Sequence, residues 1–346
     1  MRVFLAVALL LALAVVGLAV WGNWDTSSPG VDTSGLTREA VPGHVAALST
    51  ADAAARARAA DSLWKIGVHA REATPALLTA ARDPDPRVRE AAVRALGRAG
   101  QGTRDAVPTL MAALQDDRSA VRASAAAALA EIWMEERFGT PSGDQAPRPM
   151  VEPGPEAKEL HKTAVPALTA LLHDADPRAR AKAAAALAEI SLFAGPALPD
   201  LIAILEKDPD TDARLRAVLV LDNLGPPARS GVKALAGRVR GDPDAGVRAN
   251  AAHALGAIKA DPEVAVPALI EAYLTDEVGD VRNIAMWGIG QFGPQARLAE
   301  PRAREAAGGQ GPEDVRRRAA RFLEQLDNKL GGDGPETPPR GGPKKS

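Results

Sequence analysis

One arginine returns through this chain at a nearly fixed interval: Arg56, Arg89, Arg122, Arg180, Arg214, Arg248, Arg282 and Arg316. The steps are 33, 33, 58, 34, 34, 34 and 34 residues. A second column runs ahead of it, at Pro42, Pro75, Pro108, Pro166, Pro199, Lys233, Pro267 and Pro301, with the same spacing apart from a 33/34 difference at one place. Two independent columns with one period mark a repeat array. Eight units span residues 38–326.

Each unit reads as two helices. The first opens with proline near its first turn, where a missing N–H costs nothing. It carries an apolar stripe such as Val165, Leu168, Leu171 and Leu172. An Asp-x-Asp-Pro turn stops it, and the same aspartates cap the second helix. The second stripe is made of small residues, as at Val88, Ala91, Ala92, Ala95, Leu96 and Ala99. Alanine is about a fifth of the chain and aromatics are 3%, a composition that suits closely spaced helices and not strands. One such pair cannot bury enough surface to fold alone. Stacked pairs bury a continuous core.

The segments Asp83-Pro-Asp-Pro-Arg-Val-Arg-Glu-Ala-Ala-Val-Arg-Ala-Leu-Gly97 and Asp242-Pro-Asp-Ala-Gly-Val-Arg-Ala-Asn-Ala-Ala-His-Ala-Leu-Gly256 share one template. This template resembles the HEAT-repeat family, in its bacterial, phycobilisome-lyase-like subclass, over about four-fifths of the chain. The resemblance implies an all-α, right-handed α-solenoid of about eight two-helix repeats. It leaves function open, because the subclass includes scaffolds, regulators and chromophore-lyase subunits.

The arginine column is matched by aspartates five residues before the template valine: Asp83, Asp116, Asp174, Asp208, Asp242 and Asp276. A second acidic column stands three before it, at Asp52, Asp85, Asp176, Asp210 and Asp244. One acid per base in a fixed register reads as an inter-repeat ladder and not as an anion-binding stripe. With 42 basic against 44 acidic residues the chain has no basic excess, so nucleic acid is not an expected partner.

Chemistry is sparse. No cysteine is present, which excludes disulfides, Cys-ligated metals and thiol nucleophiles. The five histidines are dispersed, and none falls in the His-Glu dipeptide that marks the HEAT-like deoxyhypusine hydroxylases. There is no phosphate loop, no nucleophile elbow and no dinucleotide fingerprint. The acid pair Glu135-Glu136 reads as the solvated surface of a loop and not as acid/base machinery. Neither a metal, a cofactor nor a catalytic constellation is expected.

Both ends and one internal segment depart from the array. Residues 3–21 form an uncharged apolar run, about 28 Å long as a helix, behind Arg2. Residues 1–24 therefore read as a signal anchor or a cleaved signal peptide, and 25–37 as a flexible tether. This places the body outside the cytoplasm, single-pass through residues 3–21 if the segment is uncleaved and exported if it is cleaved. The 58-residue step carries a Pro-rich insertion within about 134–162, in which Glu156–Lys162 reads as an early start of the next helix. Residues 327–346 are rich in Gly, Pro and charge and read as a disordered tail.

A partner surface is sought off the core stripe of the second helices. The sixth position after the template valine reads Leu219, His253, Trp287 and Arg321 in successive repeats, with Leu215 and Asn283 at the second position. These six residues are either a recognition patch or locally core. The function expected is a non-catalytic, membrane-tethered or exported scaffold that binds a protein. The alternatives are a phycobilisome-lyase-like chromophore-handling subunit and a polyanion-binding HEAT protein.

Overall fold

The computed structural model describes residues 37–99, 105–138 and 155–330. Every regular element among them is helical. After a short 3-10 turn at Arg38–Ala40, the helices come in eight pairs. They are α1 (Val41–Ala47) with α2 (Ala53–Ile66), α3 (Thr74–Ala80) with α4 (Pro86–Ala99), α5 (Ala106–Ala113) with α6 (Ser119–Phe138), and α7 (Pro155–Leu171) with α8 (Pro177–Glu189). Then follow α9 (Leu198–Lys207) with α10 (Thr211–Leu224), α11 (Val232–Gly241) with α12 (Ala245–Ile258), α13 (Pro262–Thr275) with α14 (Gly279–Gly290), and α15 (Glu300–Gly308) with α16 (Glu313–Leu330).

The local chemistry of the second helices explains where they start. Asp52, Asp176, Asp210 and Asp244 have extended backbone at the N-cap, and each side chain accepts from a backbone N–H two or three residues on. Gly67 and Gly225 end α2 and α10 at φ 66° and 61°, a conformation that strains any residue with a Cβ.

Packing runs along two rows. In one row α2, α4, α6, α8, α10, α12 and α14 each touch the next. In the other, α9, α11, α13 and α15 do the same. The helices of the first row meet through alanine: Ala91, Ala92, Ala95, Ala125, Ala126, Ala183, Ala184, Ala251 and Ala252 are all buried. Short side chains bring the axes close, and leucines such as Leu96, Leu129, Leu187, Leu221 and Leu255 are fully buried in the same core.

Two features differ from the sequence reading. Helix α6 runs on to Phe138, so Glu135-Glu136 lies in a helix and not in a loop, whereas α7 begins at Pro155, in line with the early start read at Glu156–Lys162. Helix α16 leaves the row: it packs on α15 and α13 and makes no comparable contact with α14. The reason is in the sequence. Where six earlier turns carry the ladder aspartate, the last has Gln310. Arg318, three residues after the template valine Val315, donates to the Leu274 carbonyl at the end of α13 and holds the helix there.

The membrane placement needs correction. No helix among the described residues is long and apolar enough to cross a membrane. The apolar run 3–21 on which that placement rested lies outside the described residues, as do the tether up to residue 36 and the tail beyond Leu330.

Candidate functional site

The arginine column is built into the turns. Arg56, Arg89, Arg122, Arg180, Arg214 and Arg248 each reach the aspartate of the next pair: Asp83, Asp116, Asp174, Asp208, Asp242 and Asp276. In all six, Nε donates to Oδ2 at 2.6–2.8 Å. In five of them Nη2 donates to Oδ1 as well, which makes the pair bidentate; in the sixth, Nη2 of Arg122 also turns to Oδ2 of Asp174. Nη1 of each arginine donates to two carbonyls of its own preceding turn, as Arg214 does to Asp208 and Pro209 at 3.0 Å. Each aspartate also accepts from the backbone N–H two residues on, as Asp242 does from Asp244 at 3.0 Å. Every rung thus ties two turns together with charge-assisted hydrogen bonds.

Burial varies along the ladder. The Arg214 and Asp242 side chains are 5% and 0% exposed. Burial alone would raise the Asp242 carboxyl, but the hydrogen bonds from Arg214 and the Asp244 N–H, with the Arg214 and Arg238 charges, hold it below the usual carboxylate range. Asp208 and Asp276 are lowered by the same balance. These six guanidinium groups are engaged inside the protein, so they present no free cationic stripe. Arg282 keeps the two carbonyl contacts, to Asp276 at 2.8 Å and Glu277 at 2.9 Å, but pairs with no carboxylate among the described residues. Arg316 is exposed and forms no rung.

The candidate partner residues lie on neighbouring helices. Leu215 and Leu219 of α10, His253 of α12 and Trp287 of α14 are all half-buried, and Asn283 of α14 is exposed. His253 and Trp287 stack face to face, with ring centroids 4.5 Å apart and planes 2° from parallel. Nδ1 of His253 lies 3.0 and 3.1 Å from the two Asp222 carboxylate oxygens. An acid, an imidazole and an indole therefore run in line across three successive helices. Arg321 does not join them. It is exposed on α16, which has left the row.

Asp222 was not among the residues singled out in the sequence. It stands nine positions after the template site of its own repeat, and His253 stands six after that of the next. The first two pairs use the same interlock: Arg94 lies 5.1 Å over the Trp64 ring. The signal was present at a separation of 31 residues, but only when unlike columns are compared.

No group of three or more His, Asp or Glu among the described residues is placed to hold a metal ion. A cavity of about 780 Å³ lies beside α8 and α9, lined by His173, Asp200 and Lys207 among others, with His173 Nε2 2.9 Å from Asp200. Arg180 and Asp208, also in its lining, form a ladder rung.

Comparison with known proteins bears on the fold. No curated protein matches the chain. Among solved structures the chain is similar to an engineered protein, with 21% identity, 84% of this chain and 79% of that chain covered, and a TM-score of 0.57. It is also similar to importin beta, at 14% identity and a TM-score of 0.51, over 86% of this chain and 42% of that one. The complex of CpcE and CpcF of phycocyanin lyase from a Nostoc species aligns at 21% identity over 87% of this chain and 98% of that one, with a TM-score of 0.43. These likenesses concern the fold alone. A family model described as HEAT repeats matches residues 41–130 and 198–290, more than half of the chain, and the chain belongs to the HEAT-repeat family.

Proposed function

We propose that this chain is a non-catalytic scaffold, a right-handed solenoid that binds a protein partner along the second helices of its fifth to seventh pairs. The observation that carries this reading is the strip formed by Leu215, Leu219, Asp222, His253 and Trp287. In the third and fourth pairs the sixth position is Ala127 and Ala185. In the fifth to seventh it holds a large side chain that stays partly open to solvent. Half-open aromatic and aliphatic groups backed by a rigid helix row make good interface anchors, because their rotamers are already fixed before binding. The engaged ladder arginines and the absence of a basic excess speak against a polyanion as the ligand.

The test is affinity capture with the full chain from its native cells, comparing the wild type with Leu219→Glu plus Trp287→Ala. The expected result is loss of a specific protein in a double variant whose circular dichroism is unchanged. An unchanged set of captured proteins with a folded variant would move the surface elsewhere. An unfolded variant would make the strip part of the core.

A further inference from the structure

The row of second helices ends at α14 without the neighbour that every earlier member has. Three observations place the gap on one face. The first is Arg282. Its Nη1 is fixed by the same two turn carbonyls that fix the other ladder arginines, yet Nε and Nη2 meet no carboxylate among the described residues. The second is Gly290. The matching glycines, Gly97 and Gly256, lie against the next helix so closely that an added Cβ would come within 2.8 Å of the Ala128 and Gly288 Cα atoms. A Cβ on Gly290 would meet nothing within 4 Å. The third is exposure. Ala249 and Ala252 on α12 are buried, whereas their counterparts on α14 are the exposed Asn283 and the half-buried Met286.

We propose that this face of α14 is a docking socket for a helix of another protein, one with an aspartate in the turn before it and small residues along its abutting side. The chemistry of the occupant is fixed by the six filled rungs. Each shows a carboxylate seated on an arginine held as Arg282 is held, at Nε–Oδ2 distances of 2.6–2.8 Å. The open surface at Gly290 admits a close helix approach, which requires alanine or glycine opposite it. The chain's own last helix does not serve, because Gln310 stands at the aspartate position and α16 is anchored on α13 through Arg318. A second copy does not serve either. The turn of its first pair carries Thr50 where the aspartate belongs. The proposal stands on the end of the ladder and is independent of the Leu219–Trp287 strip.

The probe is a peptide of residues 116–130, acetylated, amidated and stapled as a helix on its solvent side. In the chain this segment supplies Asp116 to Arg89 and sets Ala128 against Gly97. The labelled peptide is titrated with the full-length protein and followed by fluorescence anisotropy. Saturable binding is expected, weakened on the order of tenfold or more by Arg282→Ala, by Gly290→Leu and by the peptide with Asp116→Asn. Arg58→Ala, an exposed site on α2 at the other end of the array, should leave it unchanged. Gly290 has open space, so Gly290→Leu folds and blocks the approach without touching the charge. No binding at millimolar peptide, or binding indifferent to both Arg282→Ala and Gly290→Leu, overturns the socket. Sedimentation of the protein alone closes the remaining route: self-association that Arg282→Ala abolishes would make a second copy the occupant and overturn the proposal as stated.

Discussion

Asp242 is fully buried and has every acceptor site near a donor: two nitrogens of Arg214, the Asp244 N–H, and Arg238 at 3.4 Å. Such a pair adds less than its contacts suggest while both partners are present, because two charges have lost water. Removing one partner strands the other. Asp242→Ala and Arg214→Ala should therefore each destabilise by about 3–5 kcal/mol, and the double variant by clearly less than the sum. Urea unfolding followed by circular dichroism measures all three, and additive single effects would contradict the rung. The same groups set an acid limit. Asp208, Asp242 and Asp276 titrate below the ordinary value of 3.8 when folded. Their stabilisation is complete above that value and disappears as pH falls through the lowered ones. Glu131 works in the opposite sense. Burial pushes its carboxyl up to about 7, against the pull of Arg98, Lys182 and Arg94. Between the ordinary value of 4.5 and about 7 the folded state holds a proton that the unfolded chain has released, so stability falls as pH rises. Glu131→Gln should remove that slope and gain most over the wild type above pH 7, as read from melting temperatures across pH.

At the scale of the helix, glycine separates an occupied face from an open one. Gly256→Ala forces a methyl within 2.8 Å of the Gly288 backbone and the Trp287 ring, and should cost about 1–3 kcal/mol. Gly290→Ala meets nothing and should gain about 0.5–1 kcal/mol from helix propensity. Opposite signs in thermal melts are the expected outcome. Two equal penalties would mean that α14 is covered after all. Much of this element level was legible in the residues. The aspartate columns and the small-residue stripe give the turns, the caps and the pairing of helices. Two things were not. Asp222 and His253 meet because the ninth position of one helix faces the sixth of the next, a relation between unlike columns that a column-by-column reading passes over. Helix α16 keeps the template valine and arginine as Val315 and Arg316, so its pattern reads as one more member of the row. Its departure depends on one missing aspartate, Gln310, and on one arginine, Arg318, that finds a carbonyl on α13.

For the whole molecule the consequence of stacking is that each pair is held only by its neighbours, so stability is a sum of pair terms and interface terms. The interface between α6 and α8 is special because the insertion separates its two sides in sequence. Arg122 reaches Asp174 across 52 residues, where the other rungs span 27 or 28. Local chain connectivity therefore helps this interface least, since closing the longer loop costs more entropy. The Asp174 side chain is 5% exposed and that of Arg122 21%, so Asp174→Ala strands a half-buried guanidinium at the joint that chain connectivity helps least. The variant should unfold in two steps, the three N-terminal pairs apart from the five that follow, while Asp276→Ala near the C-terminal end should fray only the last pairs. Hydrogen exchange read by mass spectrometry resolves which segments open together. A single cooperative transition in Asp174→Ala, with all pairs exchanging at one rate, would show that alanine packing between α6 and α8 carries the coupling without the rung.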